Sequence, residues 1–155
     1  MPSTSFSIVT PPVSSSAPPP VTVAIPSDPD DARRVQDDIE HLLEKHAASA
    51  KEIFSVRLAL EEALINAIKH GNQMDRGKTV TITYAIHNER FEVHITDEGS
   101  GFEPSDVPDP TDVENIDRPC GRGLMLMRHY MNEVTFNARG NSVSMNKILR
   151  NGPAK

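Results

Sequence analysis

Apolar and polar residues alternate along five short stretches of the chain and recur at three- and four-residue spacing along three longer ones. Val21-Thr22-Val23-Ala24-Ile25 alternates and then meets Pro26, which predicts a short strand at a sheet edge, because proline gives no donor to a ladder. Val35, Ile39, Leu42 and Leu43 predict an amphipathic helix ending near Lys45. Ser27 or Asp28 is its cap, Pro29 stands in its first turn, and Asp30 and Asp31 suit the positive end of its dipole. A second helix is predicted from Lys51 to His70, apolar around most of its circumference and therefore packed on a sheet. Gly71-Asn72 ends it, with glycine in the left-handed conformation of a helix terminus. Lys78 to His87 and Arg90 to Thr96 alternate on either side of Asn88-Glu89, a hairpin with Val80, Ile82, Tyr84 and Ile86 on one face. From Glu103 to Cys120 there is no period, and Pro104, Pro108, Pro110 and Pro119 interrupt the run, the signature of a functional loop or lid. Gly123 to about Asn132 predicts a third helix with Leu124, Leu126, Met127 and Met131 inward. Glu133 to Asn137 and Ser142 to Leu149 predict a closing hairpin around Arg139-Gly140-Asn141. The order β-α-α-β-β-lid-α-β-β over residues 21–150 predicts an α/β (α+β) two-layer sandwich, with helices on one face of a mixed, largely antiparallel sheet.

Composition changes the picture mainly at the ends. Residues 1–20 hold six of the chain's 13 prolines and bury too little to offset ordering entropy, so they are read as a disordered Pro/Ser/Thr-rich tail. Residues 151–155 are read as a second, short tail. These first residues lack the basic start and long apolar run of a signal peptide, and no stretch reaches the roughly 20 apolar residues of a membrane helix, so a cytoplasmic protein is expected. The net charge of -6 argues against a nucleic-acid binder and favours a protein partner or a small ligand whose charge is met locally. A single cysteine, Cys120, makes no internal disulfide and reads as an ordinary thiol.

Three stretches carry candidate chemistry. Glu62 and Asn66 stand four apart on the second helix, so their side chains share one stripe, which Lys69 and His70 continue. An amide oxygen suits Mg²⁺, and a carboxylate one turn away suits proton abstraction; a solvated helix face is the other reading. Asp97-x-Gly99-x-Gly101-Phe102 puts a carboxylate at a strand end, where it can accept from an exocyclic amine while the glycines let backbone approach a flat base. A plain turn or a calcium loop fits that stretch as well. Gly121-Arg122-Gly123-Leu124 opens a helix, and free N–H groups there suit phosphate; a turn before a helix is the alternative. Met125, Met127 and Met131 read as core or interface filler, and His70 as a packing histidine.

Taken together and in this order, Glu62-x-x-x-Asn66-Ala67, Asp97-x-Gly99-x-Gly101-Phe102 and Gly121-Arg122-Gly123-Leu124 resemble the Bergerat-fold (GHKL) ATPases, and within them the anti-sigma-factor serine/threonine kinases. Asn66-Ala67-Ile68-Lys69-His70-Gly71 and the stretch from Arg118 to Val134 carry the resemblance most specifically. It implies a Bergerat-type ATP-binding fold with ATP and Mg²⁺. Asp97, Gly99 and Gly101 would meet adenine, Asn66 the metal, and Gly121, Arg122, Gly123 and Leu124 the phosphates. Glu62 would be the general base, Lys69 a further phosphate contact, Arg118 a contact to the γ-phosphate or to a partner, and residues 103–120 an ATP lid. The implied activity is phosphorylation of a serine or threonine on an antagonist, within a partner-switching circuit that regulates transcription. The implied partners are a sigma factor and a STAS-type anti-sigma-factor antagonist, with a homodimer formed through the sheet edge. The alternative is a non-catalytic regulator of the same fold that acts by partner contact alone.

Overall fold

The computed structural model describes residues 19–99 and 119–149. Strand β1 (Val21–Pro26) leads into α1 (Pro29–Lys45), and α2 (Ala50–Ile65) runs directly into a π-helical turn, Asn66–Gly71. Strands β2 (Thr79–His87) and β3 (Arg90–Thr96) follow, then α3 (Pro119–Tyr130), β4 (Glu133–Phe136) and β5 (Ser142–Ile148). The sheet order is β1-β2-β3-β5-β4. All four pairings are antiparallel, so the expected mixed sheet is corrected. The reason is that β5, not β4, lies against β3; β4 runs parallel to β3 but is separated from it by its own hairpin partner.

Local chemistry accounts for the boundaries. Asp28, not Ser27, caps α1, with its Oδ1 accepting from the Asp30 N–H at 2.8 Å. Ser27 is buried instead. Ser49 and Glu52 form a reciprocal capping box at the start of α2, at 3.1 Å and 2.9 Å. The β2–β3 turn places Asn88 and Glu89 at φ 53° and 60°, the geometry of a type I′ hairpin.

Register then assembles the core. Val23, Ile82, Ile95, Val143 and Phe136 form one cross-strand row, and Val21, Tyr84, Val93, Met145 and Val134 the next. Against these rows pack Ile39 and Leu43 of α1, Leu60 and Leu64 of α2, and Met127 of α3, all essentially inaccessible. The opposite sheet face carries Thr22, Thr83, His94 and Ser144, so helices cover one side only. Helix α3 runs antiparallel to α2, since Tyr130 meets Phe54 edge-on at 6.1 Å while Gly123 lies beside Glu62 and Asn66. No helix among the described residues is long and apolar enough to cross a membrane.

Two helix ends differ from expectation. Gly71 is not a left-handed terminator: it lies inside the π-turn, and the left-handed residues are Gln73 and Met74 at φ 55° and 60°. Helix α3 begins at Pro119, four residues early, because proline suits a helix start and its missing N–H costs nothing there. Cys120 therefore belongs to α3 rather than to a loop. Met127 and Met131 are core, whereas Met125 is 40% exposed.

Candidate functional site

An open cleft of about 770 Å³ lies between the α2–π-turn and the β3–β5 end of the sheet. Ile95, Phe136 and Val143 from the sheet and Leu124 and Met127 from α3 make apolar walls. Ala63, Asn66, Ala67, His70 and Gly71 line the helical side, and Asp97 brings a carboxylate into this apolar space.

The π-turn explains the helical side. Asn72 N–H bonds Ala67 O at 2.8 Å, a five-residue step that widens the last turn. Asn66, His70 and Gly71 then all line the cleft. Lys69 does not join them; it is exposed and lines the groove between α1 and α2 with Arg33 and Arg57. The expected continuous stripe from Glu62 to Lys69 is thus corrected, since a widened turn no longer keeps 3.6-residue spacing.

Asp97 is held from several directions. Its N–H donates to Asn141 O at 2.9 Å, and its carbonyl accepts from Asn141 Nδ2 at 3.0 Å. Its Oδ1 accepts from the Gly99 N–H at 2.7 Å. Burial pushes its carboxyl pKa up, partly offset by that Gly99 bond and by the Arg139 and Lys78 charges. Arg139 also donates to Gly99 O at 3.3 Å, so the β4–β5 turn braces the loop after β3.

Both described glycines beside Asp97 exist for close approach. A Cβ at Gly71 would fall on the Asp97 carboxylate, and one at Gly99 on the Gly71 carbonyl. Gly123 plays the same part for α3: a Cβ there would come within 3.0 Å of both Asn66 Nδ2 and Glu62 Oε1. Stretches far apart in sequence are thereby brought together. Asp97, Gly99 and Gly71 form one end, while Glu62, Asn66 and Gly123 form the other, with Leu124 lining the cleft beyond. Because α3 opens at Pro119 rather than at Gly121, the Gly121 N–H is among the first N–H groups that lack an intrahelical acceptor, while Arg122 and Gly123 already lie inside the helical ladder. Gly101, Arg118, residues 103–118 of the expected lid 103–120, residues 1–18 of the expected tail 1–20 and the expected tail 151–155 lie outside the described residues.

The residues fit a magnesium nucleotide. Asn66 supplies a hard oxygen, the kind of single protein ligand that Mg²⁺ uses alongside water and phosphate. Among the described residues no group of three or more His, Cys, Asp or Glu side chains forms a metal site of its own, so a cation at Asn66 would draw other ligands from the nucleotide. Sequence reasoning put His70 on the Glu62–Asn66 stripe but read it as a packing histidine, and it missed Asn141 and the apolar walls as cleft residues, and Asn72 behind them.

The histidine kinase-like ATPase domain family matches residues 25–147. The serine/threonine-protein kinase BtrW of Bordetella bronchiseptica is 28% identical over 103 residues, 65% of this chain and 72% of that one. The serine-protein kinase RsbW of Bacillus subtilis is 27% identical over 136 residues, covering 83% and 85% of the two chains. RsbW of Staphylococcus epidermidis reaches 32% over 111 residues, 66% and 70%. A solved Mycobacterium tuberculosis structure of RsbU and RsbW domains superposes with a TM-score of 0.58 at 16% identity. It covers 84% of this chain and 32% of that one, so the likeness is one of fold over about a third of the larger protein.

Proposed function

The chain belongs to the histidine kinase-like ATPase family, and from that premise we propose that it binds Mg·ATP in the Asp97 cleft and passes the γ-phosphoryl group to a serine or threonine hydroxyl of a protein. The observation that carries this reading is the convergence of Glu62 and Asn66 on Gly123 beside a cleft that also holds Asp97. The kinase names of its relatives support the substrate class.

Each residue has a role that its chemistry suits. Asp97 accepts from the adenine amino group, with Gly99 and Gly101 alongside, while Ile95, Met127 and Phe136 pack near the ring. At the start of α3 the Gly121 N–H meets the phosphates, with Arg122, Gly123 and Leu124 alongside. Asn66 holds the metal through its amide oxygen. Bound Mg²⁺ supplies charge neutralisation across the phosphate oxygens. Glu62 takes the proton of the attacking hydroxyl as its oxygen bonds the γ-phosphorus and the bond to the β–γ bridging oxygen breaks, releasing ADP. The phosphorylated protein is a STAS-type antagonist, and the competing partner a cytoplasmic sigma factor.

The decisive assay incubates purified protein with Mg·ATP and a candidate antagonist and reads phosphoserine or phosphothreonine by mass spectrometry. Glu62→Gln should slow transfer about a hundredfold or more while ATP affinity stays within about threefold of wild type. Unchanged transfer in that variant would remove Glu62 from the chemistry. Nucleotide binding with no transfer to any antagonist would leave a regulator acting by contact alone.

A further inference from the structure

Asn72 is fully buried, yet it does not line the cleft. Its amide is used on both sides. Oδ1 accepts from the Glu98 N–H at 2.7 Å, while Nδ2 donates to Ser27 Oγ at 2.9 Å and to Thr79 O at 3.1 Å. Ser27 Oγ in turn donates to Lys78 O at 2.9 Å, and Thr79 N–H donates to Glu98 Oε1 at 3.0 Å. The result is a closed polar network that joins the β1–α1 junction, the start of β2 and the loop after β3. At its buried centre, Asn72 and Ser27, the network has one geometry, because a shift there strands a polar group without water.

The bond to Glu98 is the informative one. Glu98 N–H belongs to the peptide that directly follows Asp97, so Asn72 grips the main chain one bond beyond the cleft carboxylate. Asn141 grips the main chain on the other side. Gly99, whose N–H orients the carboxylate itself, is the next residue along. A helix-end asparagine that served only to close its own helix would bond its own carbonyls. This one spends every side-chain bond on other segments.

We propose that Asn72 is a positioning residue, braced by Ser27, that sets Asp97 for recognition of a ligand's exocyclic amine and so gives the cleft its preference for adenine. This rests on the reading of the cleft as a nucleotide site. It places a residue that governs base selectivity outside the cleft wall.

Inosine triphosphate separates positioning from mere stability, because it keeps the phosphates and replaces the 6-amino group by a carbonyl. Calorimetric titration with Mg·ATP and Mg·ITP would compare wild type, Asn72→Ala and Ser27→Ala, each well below its melting temperature and folded by circular dichroism. Wild type should prefer ATP by about tenfold or more. Asn72→Ala should lose most of that ratio by weakening ATP and not ITP. Ser27→Ala, which leaves Asn72 in place without one partner, should lower the ratio about threefold. A folded Asn72→Ala with the wild-type ratio would overturn the inference, and if that variant does not fold, an unchanged ratio in Ser27→Ala overturns it. A wild type that binds both nucleotides equally would sink the adenine reading of Asp97 and this inference with it. A wild-type ratio that collapses only at position 72 or 27 supports both.

Discussion

Asp97 is the residue at which binding and stability conflict. Burial raises its carboxyl pKa, so the charged form is disfavoured in the folded protein. The sign follows: the folded state holds its proton to higher pH than the unfolded state, whose value is near 3.8, and stability from this group rises as pH falls through that interval. Asp97→Asn should therefore raise the melting temperature of the nucleotide-free protein near neutral pH, by about 2 °C. That difference should shrink as pH falls through the interval, as melts in a pH series would show. The same variant should weaken ATP binding, since the amide is uncharged and keeps one acceptor oxygen while a donor replaces the other. Asp28 has the opposite sign. Its hydrogen bond from Arg76, then that from Asp30, lower its pKa, so its contribution is lost as pH falls below about 3.8. Gly99→Ala tests packing alone. Its Cβ meets the Gly71 backbone, which cannot rotate away, so a loss of about 1–3 kcal/mol is expected in urea titrations.

Among the elements, α2 and the β2–β3 hairpin give sharp tests. Ser49→Ala removes one half of the capping box and should cost about 1 kcal/mol by denaturant unfolding. Glu89 is a non-glycine residue at φ 60° in a type I′ turn, next to an asparagine that tolerates the left-handed region far better. Glu89→Gly makes the favoured Asn-Gly pair and should stabilise by about 1 kcal/mol in the same measurement. The π-turn after α2 is the element whose geometry matters most for the cleft. It brings Asn66, His70 and Gly71 to one side and leaves Lys69 on the other. Helix period read from sequence put Lys69 on the Asn66 stripe because 3.6 residues per turn was assumed throughout.

For the whole molecule, the cleft is a junction of α2, α3, the loop after β3 and the β4–β5 turn. Ligand bound there stabilises all of them against unfolding together. Mg·ATP at about 100 times its Kd should add about 2.7 kcal/mol, read as a rise in melting temperature. Asn66→Ala should remove most of the Mg²⁺-dependent part of that rise, which repetition with EDTA isolates. Among the described residues the helices form a single layer, and the far sheet face carries hydroxyl pairs such as Thr96–Ser142 at 2.8 Å.

The sequence alone determined the strands, the three helices, the apolar rows and the glycine-rich stretches, since alternation, helical spacing and turn residues are local and survive without tertiary knowledge. It also supplied Glu62, Asn66 and Asp97 as candidates, because their residue types and spacings suit nucleotide chemistry. Tertiary structure alone decided which surfaces the glycines touch. Gly71 is small for the sake of Asp97, not for its own backbone angle, and Gly123 for the sake of Glu62 and Asn66. It decided that Lys69 leaves the cleft and that Ser27 is a buried brace rather than a helix cap. It placed β5 between β3 and β4 and so made the sheet fully antiparallel. The glycine contacts and the Ser27 brace join residues 26 to 61 positions apart, and no local pattern records which distant segment will arrive.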